Sequence, residues 1–147
     1  MRQLQPEPYH ALNSWYASVQ QACAEAGLPR VLLDLVWIRV SQLNGCAYCL
    51  DLHNREAREH GEHQSRLDVL SAWRECGDLF NPRERAALAF AEAVTLVSEH
   101  GVPDDVYEIV SQVFGDEQIG ALLMSISVIN AYNRISIASA AKPPRRE

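Results

Sequence analysis

The chain has 147 residues and a formal net charge of −6, from 13 Lys+Arg against 19 Asp+Glu. One domain of that length buries roughly 70% of the surface its unfolded form exposes, so it needs no framework of disulfides. The acidic balance argues against nucleic acid or an anionic membrane as partner, because both demand a basic face.

The opening stretch, Met1 to Pro8, is polar, carries two prolines and has no apolar core of the kind a signal peptide needs. A first helix is predicted from Glu7 to Ala26, with Leu12, Trp15, Tyr16, Val19, Ala22 and Cys23 at helical spacing. Gly27 suits its end, and Pro29 suits the first turn of a second helix reaching Leu43. That second helix is apolar almost throughout, interrupted by Asp34; its length and lack of alternation favour a buried helix over a strand. Asn44-Gly45 stops it. A third helix is expected from about Cys46 to Gly61, and a fourth from Gln64 to Glu75. Asn81-Pro82-Arg83-Glu84 reads as a capping box opening a fifth helix that reaches His100. Pro103 opens a sixth and Gly115 ends it. Asp116 is expected to cap the last, which runs to about Ser139. Its weakly polar part, Ile119 to Ile129, is too short to span a bilayer and carries Ser125 and Ser127. The expectation is an all-α single-domain bundle of about seven helices over residues 1–141. Residues 142–147, with the basic run Lys142-Pro143-Pro144-Arg145-Arg146, are expected as a disordered tail.

With no targeting or spanning segment, the cytoplasm is the expected location. Thiols stay reduced there, so four cysteines point to thiol chemistry or metal binding rather than to a disulfide framework. Cys46 and Cys49 are three apart and His53 follows by four. At ~100° per residue these side chains share one helical face, about 60° wide. A helix N-terminus favours a thiolate, and an imidazole one turn on can accept or relay a proton. Dithiol redox chemistry is the leading reading; structural zinc lacks the second cysteine pair it usually needs. Cys23 and Cys76 have no nearby cysteine or histidine in the sequence and read as small core residues. His10, His60, His63 and His100 are assigned no direct role, and Trp15, Trp37 and Trp73 read as core anchors.

If the second and third helices fold back on each other at Asn44-Gly45, Asp34 lies at about the depth of His53. Asp34 is the only acid between Glu25 and Asp51, and a buried acid needs a partner. Two expectations follow: a salt bridge to Arg30 or Arg39, or a proton relay through His53, directly or through water.

Asp34, then Cys46-x-x-Cys49-x-x-x-His53, resembles the alkylhydroperoxidase D-like proteins of the carboxymuconolactone decarboxylase superfamily. The specific stretch runs from Arg39 to His53, and the resemblance extends over nearly the whole chain. It implies an all-helical fold, a homo-oligomer (commonly a trimer or hexamer), and peroxide reduction by the cysteine pair with a carboxylate and a histidine moving protons. Cys46 and Cys49 take the thiol positions and His53 the relay position. Asp34 stands where the family usually has Glu, and Tyr48 where its best-known branch has a second histidine. Helix-dipole reasoning favours Cys46 as the more acidic thiol, whereas the resemblance favours Cys49 as the one that attacks. Hydrogen peroxide or organic hydroperoxides are the expected substrates, with an external lipoyl or thioredoxin-type dithiol as reductant and no cofactor or metal. The competing readings are a non-catalytic redox sensor or assembly module, a zinc-binding structural protein and, more remotely, a decarboxylase.

Overall fold

The computed structural model describes residues 3–146, and among these all regular structure is helical. In chain order the helices are α1 (Pro6–Glu25), α2 (Arg30–Asn44), α3 (Ala47–Glu59), α4 (Gln64–Val69), α5 (Pro82–Thr95), α6 (Val97–His100), α7 (Asp104–Val113) and α8 (Asp116–Ala138), with a 3₁₀ segment, Leu70–Leu79, after α4. The expected fourth helix is thus shorter than its pattern suggested. The α-helix gives way at Leu70 to the 3₁₀ segment, inside which Ala72 and Gly77 leave helical geometry and kink the chain. The expected fifth helix also breaks, at Leu96. β-branched Val94, Thr95 and Val97 crowd the preceding turn there and weaken helix propagation.

The bundle is built around α2. Its Leu35, Val36, Trp37, Ile38 and Val40 are fully buried, so the middle of the helix is enclosed on nearly every side, as its apolar run demands, while Arg30 and Val31 at its start meet solvent. One face joins α1, α5, α7 and α8 in a core containing Val19, Phe90, Leu122, Ile126 and Ile129. The other closes a smaller cluster with Ala57, Leu67, Leu70, Trp73, Phe80 and Leu88. Each large apolar side chain so buried contributes about 1.5–3 kcal/mol. Among the described residues α8 is the one helix long and apolar enough, by length and composition, to cross a membrane. Instead its Leu122, Ile126, Val128 and Ile129 are core residues.

The capping box that opens α5 forms as read. The Glu84 N–H donates to Asn81 Oδ1 at 2.9 Å and the Asn81 N–H to Glu84 Oε2 at 2.8 Å. The cap of α8 differs. Gly115, not Asp116, is the capping position, and its N–H donates to Gln118 Oε1 at 3.2 Å. Asp116 sits one place further in, where its charge suits the helix dipole. Beyond α8 the chain has no regular structure, and both guanidinium ends of Arg146 donate to Asp51 on α3, at 2.8 and 2.6 Å.

Candidate active site

Gly45 makes the turn on which the site depends. It is left-handed, with φ 68°, a conformation glycine adopts without steric penalty. The N–H groups of Gly45 and Cys46 return to the carbonyls of Gln42 and Ser41, at 3.2 and 3.0 Å, and close the end of α2. α3 then starts at once and folds back along α2. Cys46 is its N-cap residue rather than part of its first turn, and its sulfur accepts from the Cys49 N–H at 3.4 Å. A sulfur in that place satisfies a free helix N–H and, as a thiolate, would lie at the positive end of the dipole.

Cys46 and Cys49 are joined as a disulfide with Cα atoms 5.3 Å apart. Both are buried, Cys46 at 1% and Cys49 at 4% relative exposure. Cys49 faces a cavity. That cavity has a volume of about 330 Å³, and Tyr16, Tyr48, His53, Glu56 and Tyr132 help to line it. Burial pushes the Tyr16 hydroxyl up to about 12 and raises that of Tyr132. Both therefore stay phenols at neutral pH. The Tyr132 hydroxyl donates to Asn13 Oδ1 at 2.6 Å. Tyr48, 39% exposed, stands on the rim.

His53 lies one turn beyond Cys49, its ring 5.5 Å from that of Trp37. Trp37 is fixed in turn by its indole N–H, which donates to Ser125 Oγ at 2.7 Å. His53 Nδ1 lies 3.2 Å from Glu56 Oε2. A carboxylate only accepts, so Nδ1 carries the hydrogen and Nε2 is left to exchange a proton. The hydrogen bond from His53 is the main reason the Glu56 carboxyl lies below the usual glutamate range; the charges of His53, Arg30 and His60 add to it, against the effect of burial.

The carboxylate beside His53 is therefore Glu56, three residues along the same helix, and not Asp34. Asp34 is wholly buried. It accepts from Arg30 Nε at 3.0 Å and from His60 Nδ1 at 2.7 Å. Of its two expected states, the salt bridge to Arg30 is the one present. Arg39 instead donates to Glu92, at 2.8 Å. His60, assigned no role from the sequence, closes the second side of Asp34 because α3 ends there and its ring turns back towards α2. Asp34 and His53 are linked only through intermediates: Arg30 Nη2 lies 3.7 Å from the Glu56 oxygen that holds His53. Glu56 was findable, since residues three apart on a helix are neighbours.

Cys23 is buried as expected, whereas Cys76 is half-buried on the 3₁₀ segment. Among the described residues no group of three or more His, Cys, Asp or Glu side chains is placed to hold a metal ion. A disulfide, an imidazole with one nitrogen committed and a cavity touching both can carry out two-electron thiol chemistry with proton transfer.

Comparison with known proteins agrees with this geometry. The Carboxymuconolactone decarboxylase family profile matches residues 8–93. The Bacillus subtilis (strain 168) protein YdfG is 44% identical over 114 residues, 78% of this chain and 77% of that protein. A crystal structure of an Agrobacterium tumefaciens protein, described as a candidate antioxidant defence protein AhpD, superposes with a TM-score of 0.86 at 32% identity, over 97% of this chain and 94% of that one. A peroxidase-related protein from Silicibacter sp. TM1040 shares the fold, with a TM-score of 0.79 at 24% identity over 95% of this chain and 72% of that one. The chain belongs to the carboxymuconolactone decarboxylase family and has its AhpD-like all-helical fold.

Proposed function

We propose that the protein is a thiol-dependent peroxidase acting through Cys46, Cys49, His53 and, at one remove, Asp34. The observation that carries this reading is the Cys46–Cys49 disulfide with Cys49 and His53 opening on one cavity. The Cys49 thiolate attacks a peroxide oxygen and the O–O bond breaks. Cys49 becomes a sulfenic acid, and the alcohol or water leaves with a proton supplied through His53 Nε2. The Cys46 thiol then attacks the sulfenic sulfur, water leaves, and the disulfide forms. An external dithiol of lipoyl or thioredoxin type returns two electrons and two hydrogens by exchange. Asp34 holds Arg30, which steadies Glu56 beside His53.

Assembly as a homo-oligomer, a trimer or hexamer, is supported by the exposed Leu123, Met124 and Ile137 of α8. A cytoplasmic location accords with two cysteines left unpaired. The decisive assay is peroxide consumption with a dithiol donor. Wild type turns over repeatedly. Cys46→Ser turns over far more slowly, because its sulfenic acid must wait for a donor thiol instead of condensing with a neighbouring one. Cys49→Ser consumes none. Equal turnover by all three would end this reading. The burial of both sulfurs favours a second one, a slow redox sensor. It predicts a loss of two hydrogens on oxidation and no multiple turnover with any dithiol.

A further inference from the structure

The cavity at Cys49 shares two of its walls, Tyr48 and Leu52, with a neighbouring cavity of about 300 Å³ beside the chain that follows α8. The second cavity is cationic. Arg55 and Lys142, the only lysine in the sequence, line it. Its one acidic wall residue, Asp51, is already taken by Arg146. Arg55 Nε is buried and has no hydrogen-bond partner. Glu59 comes no nearer than 3.9 Å, at the far end of the guanidinium, which is an ion-pair distance beyond hydrogen-bond reach. Lys142 is exposed and has no ion pair among the described residues. A chain of net charge −6 thus keeps two cations in the cavity adjoining that of its reactive cysteine, Lys142 unpaired among the described residues and Arg55, 40% exposed, held only by a long ion pair to Glu59.

We propose that Arg55 and Lys142 seat the carboxylate of the substrate, which is an organic hydroperoxide bearing an acid group at the end of an alkyl chain. This rests on the peroxidase reading and narrows it. Cys49 and Arg55 are six residues apart on α3, ~9 Å along the helix axis and ~120° around it, a path that the long Arg55 side chain covers in part and an extended alkyl chain of about eight carbons would complete. Leu52 lies between them on the same helix and gives that chain an apolar wall. The Arg55 guanidinium offers a planar fork that matches a carboxylate, and Lys142 adds a point charge. A small peroxide would sit in the Cys49 cavity alone and leave the two cations of the adjoining cavity unused.

The first test is binding of 9-hydroxynonanoate, an alcohol product that cannot react, and of its methyl ester to the oxidised protein by calorimetry. The acid is expected to bind about tenfold tighter than the ester, the low end for a charge-assisted hydrogen bond. That ratio should fall to about one in Arg55→Gln/Lys142→Gln. Lys142→Gln alone, outside every helix, gives an intermediate ratio and guards against misfolding of the double variant. The second test compares KM for 9-hydroperoxynonanoate and its methyl ester, with the same ratios expected. Acid and ester binding alike in wild type would overturn the proposal. So would a variant effect equal for acid and ester and seen only with a protein dithiol, because the cations would then serve the reductant. Consumption of tert-butyl hydroperoxide by wild type reports separately on the peroxidase reading. If no peroxide is consumed that reading fails, and the calorimetry still decides the carboxylate site.

Discussion

Two carboxylates compete for the role of partner to His53, and Glu56→Gln separates them. Glu56 Oε2 accepts from His53 Nδ1 at 3.2 Å, and its side chain is 28% exposed. Gln keeps the shape and removes the charge, and it can turn an N–H towards Nδ1. That favours the hydrogen on Nε2 and so spoils the nitrogen that should take the Cys49 proton. A charge-assisted hydrogen bond contributes about 1.5–3 kcal/mol. Partial exposure and the competing Arg30 at 3.7 Å place this one towards the lower end. A loss of about 2 kcal/mol of transition-state stabilisation corresponds to ~30-fold in kcat. Asp34→Asn should behave differently. It leaves Arg30 and His60 short of a buried anion, so it lowers the unfolding midpoint and reduces kcat less than Glu56→Gln does. The assay is steady-state peroxide reduction with a dithiol donor, with denaturant unfolding of the same samples. Glu56→Gln within twofold of wild type, together with a folded Asp34→Asn that has lost its kcat, would return the role to Asp34 and refute the geometry.

Gly45→Ala meets no atom within 4 Å but must hold a positive φ. It should cost about 1–2 kcal/mol, a fall of about 3–6 °C in Tm by calorimetry. Burial would raise the Glu92 carboxyl, but hydrogen bonds from Arg74, Trp73 and Arg39 outweigh it and hold the group below its usual value. Its contribution is therefore complete above the unfolded glutamate pKa of about 4.3 and lost as pH falls through the lower folded value; Tm measured from pH 6 to pH 3 should fall more steeply for wild type than for Glu92→Gln. Burial pushes the Cys23 thiol up, against a hydrogen bond with Ser125. Iodoacetamide on the folded protein should accordingly label Cys76 and leave Cys23 unmodified, read by peptide mass.

What the sequence revealed follows from what a single helix determines. The 3.6-residue period placed the large helices, the Asn81–Glu84 pair marked a start, and the spacing of Cys46, Cys49 and His53 put three reactive groups on one face. Local chemistry alone decides such features. The failures lie where a second element chooses. Asp34 had Arg30 on its own helix and His60 arriving from the end of α3. Depth along two antiparallel axes cannot say which of several side chains turns inward. The interruptions at Ala72, Gly77 and Leu96 are backbone deviations within sequences that still show an apolar pattern. At Ala72 and Gly77, packing of the 3₁₀ segment against α2 and α5 overrides propensity; at Leu96 the β-branched neighbours weaken the helix locally. Cys46 was assigned one position too far into its helix, and that shift carries a chemical consequence.

A cysteine at the N-cap and a cysteine three residues later are not equivalent sulfurs, and the two lines of reasoning that disagreed about them describe different half-reactions. Cys49 lines the cavity beside His53, so a peroxide can reach it and a proton can be exchanged nearby. Cys46 is the more deeply buried, but its sulfur accepts a helix N–H and lies at the positive end of α3. Acidity of that kind matters most in a leaving group, because a thiol of lower pKa departs faster from a disulfide. On the proposed mechanism, an external dithiol would meet the same cavity as the peroxide. Attack at Cys49 would expel Cys46 into the place where its charge is best stabilised. One sulfur would then be the point of contact for both oxidant and reductant, and the other the leaving group that the helix start makes easy to release. The left-handed turn at Gly45 is what lets α2 end and Cys46 take the capping position of α3 in the next residue. Carried one residue further as helix, α2 would hold Cys46 in helical backbone geometry, where its sulfur could not accept the Cys49 N–H.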